Sequence, residues 1–262
     1  MSRVESVRVQ RVSGEVVGPA GSDLLAVEEP LQIRIEGRSV AITMRTPGDD
    51  LDLAAGFLYT EGVIDGEDDL VALAHVDSPH DPQGNTVDAL LASGISLERR
   101  ALADRVLFSS SSCGICGKVS IDRIRQSVSP VAPLAVSHAV LHDLPRQLAA
   151  AQSVFDQTGG IHAAALFSAD GVMEVLREDI GRHNAVDKVI GWRLRQDRVP
   201  ISDRVLLVSG RAGFEIVQKA AVAGIPVLAA VGAPSSLAAS LAAEVGMTLI
   251  GFLRDGRYNR YG

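Results

Sequence analysis

The chain of 262 residues has 25 lysines and arginines against 32 aspartates and glutamates, a formal net charge of -7 at pH 7. An acidic chain lacks the broad positive surface that DNA or RNA binding requires, so we expect no nucleic acid partner. The N-terminal sequence has no apolar signal-peptide core, and no apolar run approaches the roughly 20 residues that cross a bilayer. We therefore expect a cytoplasmic protein with no membrane segment.

The first part of the sequence predicts a small mixed α/β unit. In the segment LQIRIEGRSVAITM, apolar residues alternate on both sides of Gly37, which is typical of a β-hairpin. Asp49 and Asp50 follow a Pro-Gly turn and precede apolar residues at helical spacing, so we expect them to cap a helix. The segment TVDALLAS is interpreted as a further strand.

The second part predicts a regular alternation of helices and strands. A helix is expected through HAVLHDLPRQLAAAQSVFDQT, followed by a strand pair in IHAAALFSADGVMEVL and a helix in RHNAVDKVIGWRL. Strands and helices then alternate toward the C-terminus, which indicates a largely parallel sheet covered by helices. Ligands of such sheets bind beyond the carboxyl ends of the strands, here at SGRAG, GAPSS and FLRDGR.

Both cysteines, Cys113 and Cys116, lie in the segment SSSSCGICGK and are the candidate catalytic residues. In a reducing compartment, a close pair is more typical of catalysis, redox chemistry or metal binding than of a permanent disulfide. The serines and glycines predict a flexible linker over residues 106–133. This linker would join a small N-terminal α/β domain, residues 1–105, to a larger domain, residues 134–262.

Several interpretations of the cysteine pair remain open, including an inert loop. A structural zinc site needs four ligands, and the sequence adds only the isolated pair His138 and His142, so no metal site is predicted. A thioredoxin-like shuttle uses C-x-x-C, but that motif belongs at a helix start. In sulfur carriage, a thiolate accepts sulfane sulfur as a persulfide and passes it on, and Lys118 nearby would favour the thiolate.

Two polar segments at predicted element ends are candidate binding sites. The first begins a helix, where free N–H groups and cationic side chains suit an anion, although Asn184 and Asp187 would serve equally as capping or solvated residues. The second is a strand-to-helix turn that would cradle phosphate, although a plain turn has the same pattern. His162 is interpreted as a satisfied core histidine. The segments comprise Arg182, His183 and Asn184, and Ser209, Gly210 and Arg211.

The longest motifs of the sequence are SSSSCGICGK, GGIHAAAL, EDIGRHNAVDKVIG, SGRAGFEIVQKAAVAGIP and GFLRDGRYNRY, with RTPGDDLDLAAGFLYTEGVI in the first half. Together they resemble the FdhD family of formate dehydrogenase accessory sulfurtransferases. The resemblance implies a homodimer that takes sulfur from a cysteine desulfurase. It also implies delivery of that sulfur to the bis-molybdopterin guanine dinucleotide cofactor of formate dehydrogenase, with Cys113 as the persulfide-carrying cysteine.

The same resemblance implies a cytidine-deaminase-like larger domain, with a mixed or parallel sheet and helices on both faces. A zinc deaminase needs H-x-E and P-C-x-x-C, but here Ala185 replaces the glutamate and GRAGFE has no cysteine. We therefore expect a ligand-binding scaffold without catalytic zinc. In the family the C-terminal stretch helps to bind the guanine dinucleotide, so a GDP-like moiety is an expected ligand. The stretch comprises Phe252, Leu253, Arg254, Asp255, Gly256 and Arg257.

Two other functions fit the same residues. A cofactor chaperone would bind the molybdopterin dinucleotide without moving sulfur. A thiol-disulfide oxidoreductase would instead cycle Cys113 and Cys116 between dithiol and disulfide.

Overall fold

The computed structural model describes residues 2–76, 81, 83–95 and 128–261. Cys113, Cys116 and Lys118 lie outside these ranges, as does most of the predicted linker. The strands are β1 (Val4–Ser13), β2 (Val16–Ala26), β3 (Glu29–Ile35), β4 (Arg38–Arg45), β5 (Leu70–His75), β6 (Thr86–Leu91), β7 (His162–Ser168), β8 (Met173–Asp179), β9 (Arg204–Val208), β10 (Val227–Ala230), β11 (Thr248–Arg254) and β12 (Arg257–Tyr261). The helices are α1 (Asp50–Thr60), α2 (His138–Ala151), α3 (Ser153–Thr158), α4 (Arg182–Leu194), α5 (Phe214–Val222) and α6 (Ser236–Glu244), with a 3-10 turn at Glu67–Asp69.

The N-terminal unit contains a four-stranded sheet in the order β4-β3-β6-β5. The predicted hairpin is confirmed: β3 and β4 pair antiparallel, and Glu36 and Gly37 between them both have positive φ angles, as a tight two-residue turn requires. The predicted strand in TVDALLAS is also confirmed as β6, which pairs parallel with β3. One face of this sheet packs on α1.

The expected capping of α1 by Asp49 is wrong. Asp49 occupies the cap position with a left-handed φ of 57° and makes no side-chain capping bond. Its carboxylate instead lies 3.4 Å from the guanidinium of Arg177, and the carboxylate of Asp50 pairs with buried Arg45 at 2.9 Å. Both carboxylates therefore form ion pairs with arginines of β4 and β8. They do not accept hydrogen bonds from the N-terminus of α1, as the local sequence had suggested.

Strands β1 and β2 form a separate antiparallel hairpin that the sequence analysis did not predict. Most of its side chains are exposed, so the apolar alternation that marks a half-buried strand is weak here. Its base is held to the rest of the protein where Arg3 donates a hydrogen bond to the carbonyl oxygen of Glu178 at 3.0 Å.

The larger domain is built on a six-stranded sheet in the order β12-β11-β10-β9-β7-β8. Strands β9, β10 and β11 are parallel, whereas β7, β8 and β12 run antiparallel to their neighbours. Apolar residues of α2 cover one face, and those of α4, α5 and α6 cover the other. The predicted α/β class, with a mixed sheet between two helical layers, is confirmed.

The long helix predicted before β7 is interrupted. At Gln152, with φ of -82° and ψ of 75°, the chain leaves the helical conformation, and it resumes as the short helix α3. The predicted end of the segment at Thr158 is confirmed, and Gly159 follows it with a φ of 64°, the left-handed conformation that favours glycine after a helix. Within the described ranges, no helix combines the length and the apolar character needed to span a bilayer.

Helices α1 and α4 cross with their backbones in contact, which joins the two halves of the chain. A Cβ atom added to Gly56 would lie 1.9 Å from the carbonyl oxygen of Asp187, and one added to Gly191 would lie 1.9 Å from that of Asp52. One apolar cluster runs continuously from Leu31 in the small sheet to residues of the large sheet. The division at residues 105 and 133 stays a prediction.

We expect Gly56→Ala to destabilise the protein by about 3 kcal/mol or more, because backbone atoms on the facing helix cannot move aside as a flexible side chain would. Gly66→Ala is the matched control, since its added methyl group would meet open space and its φ of -168° suits any residue. Urea unfolding measures both. Equal stability of the two variants would show that the helices do not cross at Gly56.

Candidate functional site

The carboxyl ends of β9, β10 and β11 meet at one edge of the large sheet because these strands are parallel. Strand β7 starts and β8 ends at the same edge, since His162 pairs with Asp179 and Ala164 pairs with Val208. Only two residues separate the end of β8 from the start of α4, so the N-terminus of α4 lies there too. The structure thus brings the three predicted binding segments, residues 182–184, 209–211 and 252–257, to one edge.

Backbone hydrogen bonds hold the loops of this edge beyond the ends of the strands. The N–H of Gly232 donates to the carbonyl of Gly210 at 2.9 Å, and that of Phe252 donates to the carbonyl of Gly232 at 3.0 Å. A Cβ atom at Gly232 would lie 2.8 Å from the oxygen of Gly210, so only glycine allows this spacing. The hydroxyl of Ser209 accepts from the N–H of Ala163 at 2.9 Å.

The side chains of the C-terminal segment, residues 252–257, differ in their exposure to solvent. Phe252 has a φ of 55°, which is rare for an aromatic residue, and its side chain is 43% exposed. Leu253 is fully buried in the core cluster under α2, so only its backbone could reach a ligand. Residues 254–257 form the exposed turn between β11 and β12, with Arg254 opposite Arg257. Both guanidinium groups are therefore on one turn beside Phe252.

At the start of α4, the imidazole of His183 contacts the carboxylate of Glu215 and so joins two helices. Its Nε2 lies 2.7 Å from Oε2 of Glu215 in the first turn of α5, and both side chains are about one third exposed. The hydrogen bond from His183 lowers the pKa of Glu215, against the opposing effect of burial. Sequence reasoning gave Glu215 no role, because its partner lies 32 positions earlier in the chain.

The interpretation of His162 as a satisfied core histidine is wrong. The residue is only partly buried, lines a cavity and makes no side-chain hydrogen bond with any residue in the described ranges. Its ring lies against Gly210, since a Cβ atom there would be 3.4 Å from Nδ1. Burial lowers the pKa of His162, and the positive charges of Arg182 and His183 act in the same direction. Both effects favour the neutral form of the imidazole.

Asn184 is turned inward, in contrast to its neighbours Arg182 and His183. Its Nδ2 donates to the carbonyl of Met44 at 2.7 Å and to Oδ1 of Asp179 at 2.9 Å, and its Oδ1 accepts from Thr43 at 3.1 Å. A direct contact between this amide and a ligand would have to break these bonds. In this structure Asn184 positions the start of α4 against β4.

A fully buried ion pair lies beneath the same helix start. Lys188 Nζ is 2.8 Å from Oδ2 of Asp179, and neither side chain is exposed. Lys188 also donates to the carbonyl of Thr46 at 2.9 Å, and Asp179 accepts from the N–H of Thr46 at 3.2 Å and from that of Gly181 at 2.8 Å. A buried charge is tolerated when it is paired and hydrogen-bonded in this way.

Glu178, the residue before Asp179, accepts hydrogen bonds from the N-terminus of α3. Its two carboxylate oxygens accept from the N–H groups of Val154 and Phe155 at 3.0 and 2.9 Å, and the residue is 1% exposed. These are free N–H groups of a helix start, where a carboxylate is favourable. The motif EDIGRHNAVDK thus fixes both α3 and α4 at the edge through Glu178, Asp179, Asn184 and Lys188.

A model of the FdhD/NarQ family matches residues 26–262. The chain belongs to this family. A protein named sulfur carrier protein FdhD from Mycolicibacterium paratuberculosis is 52% identical over 92% of this chain and 91% of its own. One of the same name from Streptomyces coelicolor is 52% identical over 91% of this chain and 87% of its own.

The fold is also that of a solved structure. The crystal structure of a protein from Desulfotalea psychrophila, described as a formate dehydrogenase accessory protein, superposes with a TM-score of 0.78. It covers 99% of this chain and 96% of that chain at 24% sequence identity. This likeness confirms the mixed α/β architecture.

We expect Lys188→Met to destabilise the protein by about 3–5 kcal/mol, because the carboxylate of Asp179 would remain buried without its partner. The double variant Asp179→Asn/Lys188→Met should recover part of that loss, since it removes the unpaired charge. Arg146→Met is the control, because Arg146 pairs with Asp143 on the exposed face of α2 and should not change stability measurably. Urea unfolding of all three variants checks this; an unchanged midpoint for Lys188→Met would contradict it.

Proposed function

We propose that this protein is a sulfurtransferase that serves formate dehydrogenase. It accepts sulfur from a cysteine desulfurase as a persulfide on Cys113 and transfers it to the bis-molybdopterin guanine dinucleotide cofactor, which is its substrate. The proposal rests chiefly on the 52% identity, over nine tenths of the chain, with proteins named sulfur carrier proteins. The likeness to a protein described as a formate dehydrogenase accessory protein supports the choice of recipient.

The loading step needs no external oxidant or reductant. The thiolate of Cys113 attacks the terminal sulfur of the persulfide on the desulfurase, an S–S bond forms on Cys113, and the donor cysteine leaves as a thiolate. Cys116, two residues away, could attack the new persulfide and release sulfide, or it could assist delivery. Both cysteines lie outside the residues that the structure describes, so their roles are proposed from the sequence and the family.

The edge of the large sheet supports the choice of substrate. Arg182, Arg211, Arg254 and Arg257 are exposed there, around the N-terminus of α4 and loops that carry glycine. Guanidinium groups and free N–H groups at a helix start are suited to phosphate. The diphosphate of a guanine dinucleotide would be the anion, with Ser209, Gly210 and the turn after Phe252 beside it.

A cytoplasmic location and a homodimer are parts of the same proposal. A persulfide carrier needs a compartment in which its thiols stay reduced, which favours the cytoplasm. The homodimer is proposed from the family. Two other functions, a cofactor chaperone without sulfur transfer and a thiol-disulfide oxidoreductase, are distinguished by the first experiment below.

After incubation with a desulfurase and cysteine, we expect intact-protein mass spectrometry to show a gain of one sulfur atom. Cys113→Ala should gain none and should fail to restore formate dehydrogenase activity, while it still binds GDP, because only the carrier thiol is removed. Cys116→Ala is the matched control and should retain the persulfide, with a partial loss of delivery.

The same measurement separates the alternatives. Loss of two hydrogen atoms in place of a gain of sulfur would indicate the oxidoreductase, and an unchanged mass would indicate the chaperone. If Cys113→Ala keeps both the sulfur and the activity while Cys116→Ala loses both, the roles of the two cysteines are reversed.

GDP should bind to the wild-type protein, and the double variant Arg254→Ala/Arg257→Ala should bind it at least about tenfold more weakly, because a charge-assisted contact contributes about 1.5 to 3 kcal/mol. Arg260→Ala is the matched control, because Arg260 is also an exposed arginine of β12. In the strand register it lies opposite Ile250, away from the turn. Isothermal titration calorimetry measures all three. An unchanged affinity in the double variant would place the phosphate site elsewhere.

A further inference from the structure

Two histidines that form an isolated pair in the sequence lie four residues apart at the start of α2. His138 and His142 are the first and fifth residues of this helix. Side chains at positions i and i+4 lie on the same face of a helix, with their Cβ atoms about 5–6 Å apart. At this spacing two imidazoles can bind the same metal ion. A specific site needs at least one more ligand.

Folding brings Tyr258 of β12 to this pair, although it lies 120 positions from His138 in the sequence. Its hydroxyl oxygen is 2.5 Å from Nδ1 of His138. The phenol ring is stacked on the ring of His138, with the ring centroids 5.9 Å apart, and it lies tilted beside the ring of His142 at 5.5 Å. Both imidazoles therefore border one tyrosine, whose oxygen is a further donor for a metal ion.

The ring of His142 has a free donor atom in this cluster. Its Nδ1 is buried, and no residue that the structure describes forms a hydrogen bond with it. A buried polar atom without a partner costs free energy, and such atoms are few in folded proteins. This nitrogen is therefore available to a ligand, and its position in the cluster does not depend on the contact between His138 and Tyr258.

We propose that His138, His142 and Tyr258 bind a divalent late transition-metal ion, such as Zn²⁺ or Cu²⁺, through two imidazole nitrogens and one phenolate oxygen. Imidazole suits both ions. Among the histidine, cysteine, aspartate and glutamate side chains of the described ranges, no three come together as metal ligands, so the tyrosine is essential to the site. The charge of its phenolate offsets the unfavourable effect of the helix N-terminus on a cation. This site goes beyond the proposed function and does not depend on it.

The metal ion would replace the proton in the hydrogen bond between Tyr258 and His138, and the phenolic proton would leave to solvent. Two ligands of a tetrahedral Zn²⁺ lie about 3.3 Å apart, because each bond is about 2.0 Å long. The oxygen and the nitrogen, now 2.5 Å apart, would therefore have to separate slightly. His138 can make this movement because it is an exposed residue at the first position of α2.

Zn²⁺ titration by calorimetry tests the site. The full chain is used with its thiols alkylated, so that Cys113 and Cys116 cannot bind the ion. We expect wild type to bind Zn²⁺, and the affinity to fall about tenfold or more in Tyr258→Phe and in His142→Gln, because losing even a group that orients a ligand costs about 10–100-fold. His75→Gln is the matched control, because His75 is an exposed histidine of β5 in the small sheet and should leave this affinity unchanged.

Cu²⁺ gives a second measurement that a purely structural tyrosine would not affect. Wild type should show an absorption band from phenolate-to-copper charge transfer, and Tyr258→Phe should lack it. His138→Gln, at an exposed position, should also bind more weakly, and near-UV circular dichroism in EDTA checks that each variant is folded. The inference is overturned if wild type binds neither ion, if the three variants bind as tightly as wild type does, or if only His75→Gln loses binding.

Discussion

The carboxylate of Asp179 is the group on which the rest of the site depends. It lies at the end of β8 with no exposure to solvent, and it accepts hydrogen bonds from Lys188, Asn184, Gly181 and Thr46. A charge at this depth is stable only while all of these donors stay in place. The four donors belong to α4, the turn before it and the end of β4. One buried charge therefore fixes the N-terminus of α4 relative to both sheets.

The surrounding contacts turn this edge into a rigid frame. Gly56 and Gly191 let α1 and α4 cross at backbone contact, and Glu178 holds the start of α3. Backbone hydrogen bonds from Gly232 to Gly210 and from Phe252 to Gly232 set the spacing of the loops after β9, β10 and β11. The result is a charged, exposed rim beside an uncharged cavity.

Local patterns predicted much of this fold. The structure confirms the hairpin at Gly37, the helix at residues 182–194 and the alternating strands and helices after residue 204. These elements were predictable because the spacing of apolar residues along the sequence shows which face of a strand or helix is buried. The meeting of residues 209–211 and 252–257 at one edge follows from the parallel strands, whereas residues 182–184 are brought there by the antiparallel pairing of β7 with β8 and β9. Local patterns failed at Asp49, because its carboxylate pairs with Arg177 from a distant strand. They also failed at Gln152, where the helix is interrupted beside a cavity.

By itself, the sequence determined the family, through motifs from residue 45 onward, and the order of most elements, because both are properties of adjacent residues. Only the tertiary structure decided which polar side chains are bonded inside the protein and which lie at the edge of the large sheet or its cavity. Asn184 bonds to residues 140 and 141 positions away and turns inward, whereas His162 and Gln152 line a cavity and make no side-chain hydrogen bond with any residue that the structure describes. The reason is physical: whether a polar group is satisfied depends on neighbours that folding brings from distant parts of the chain.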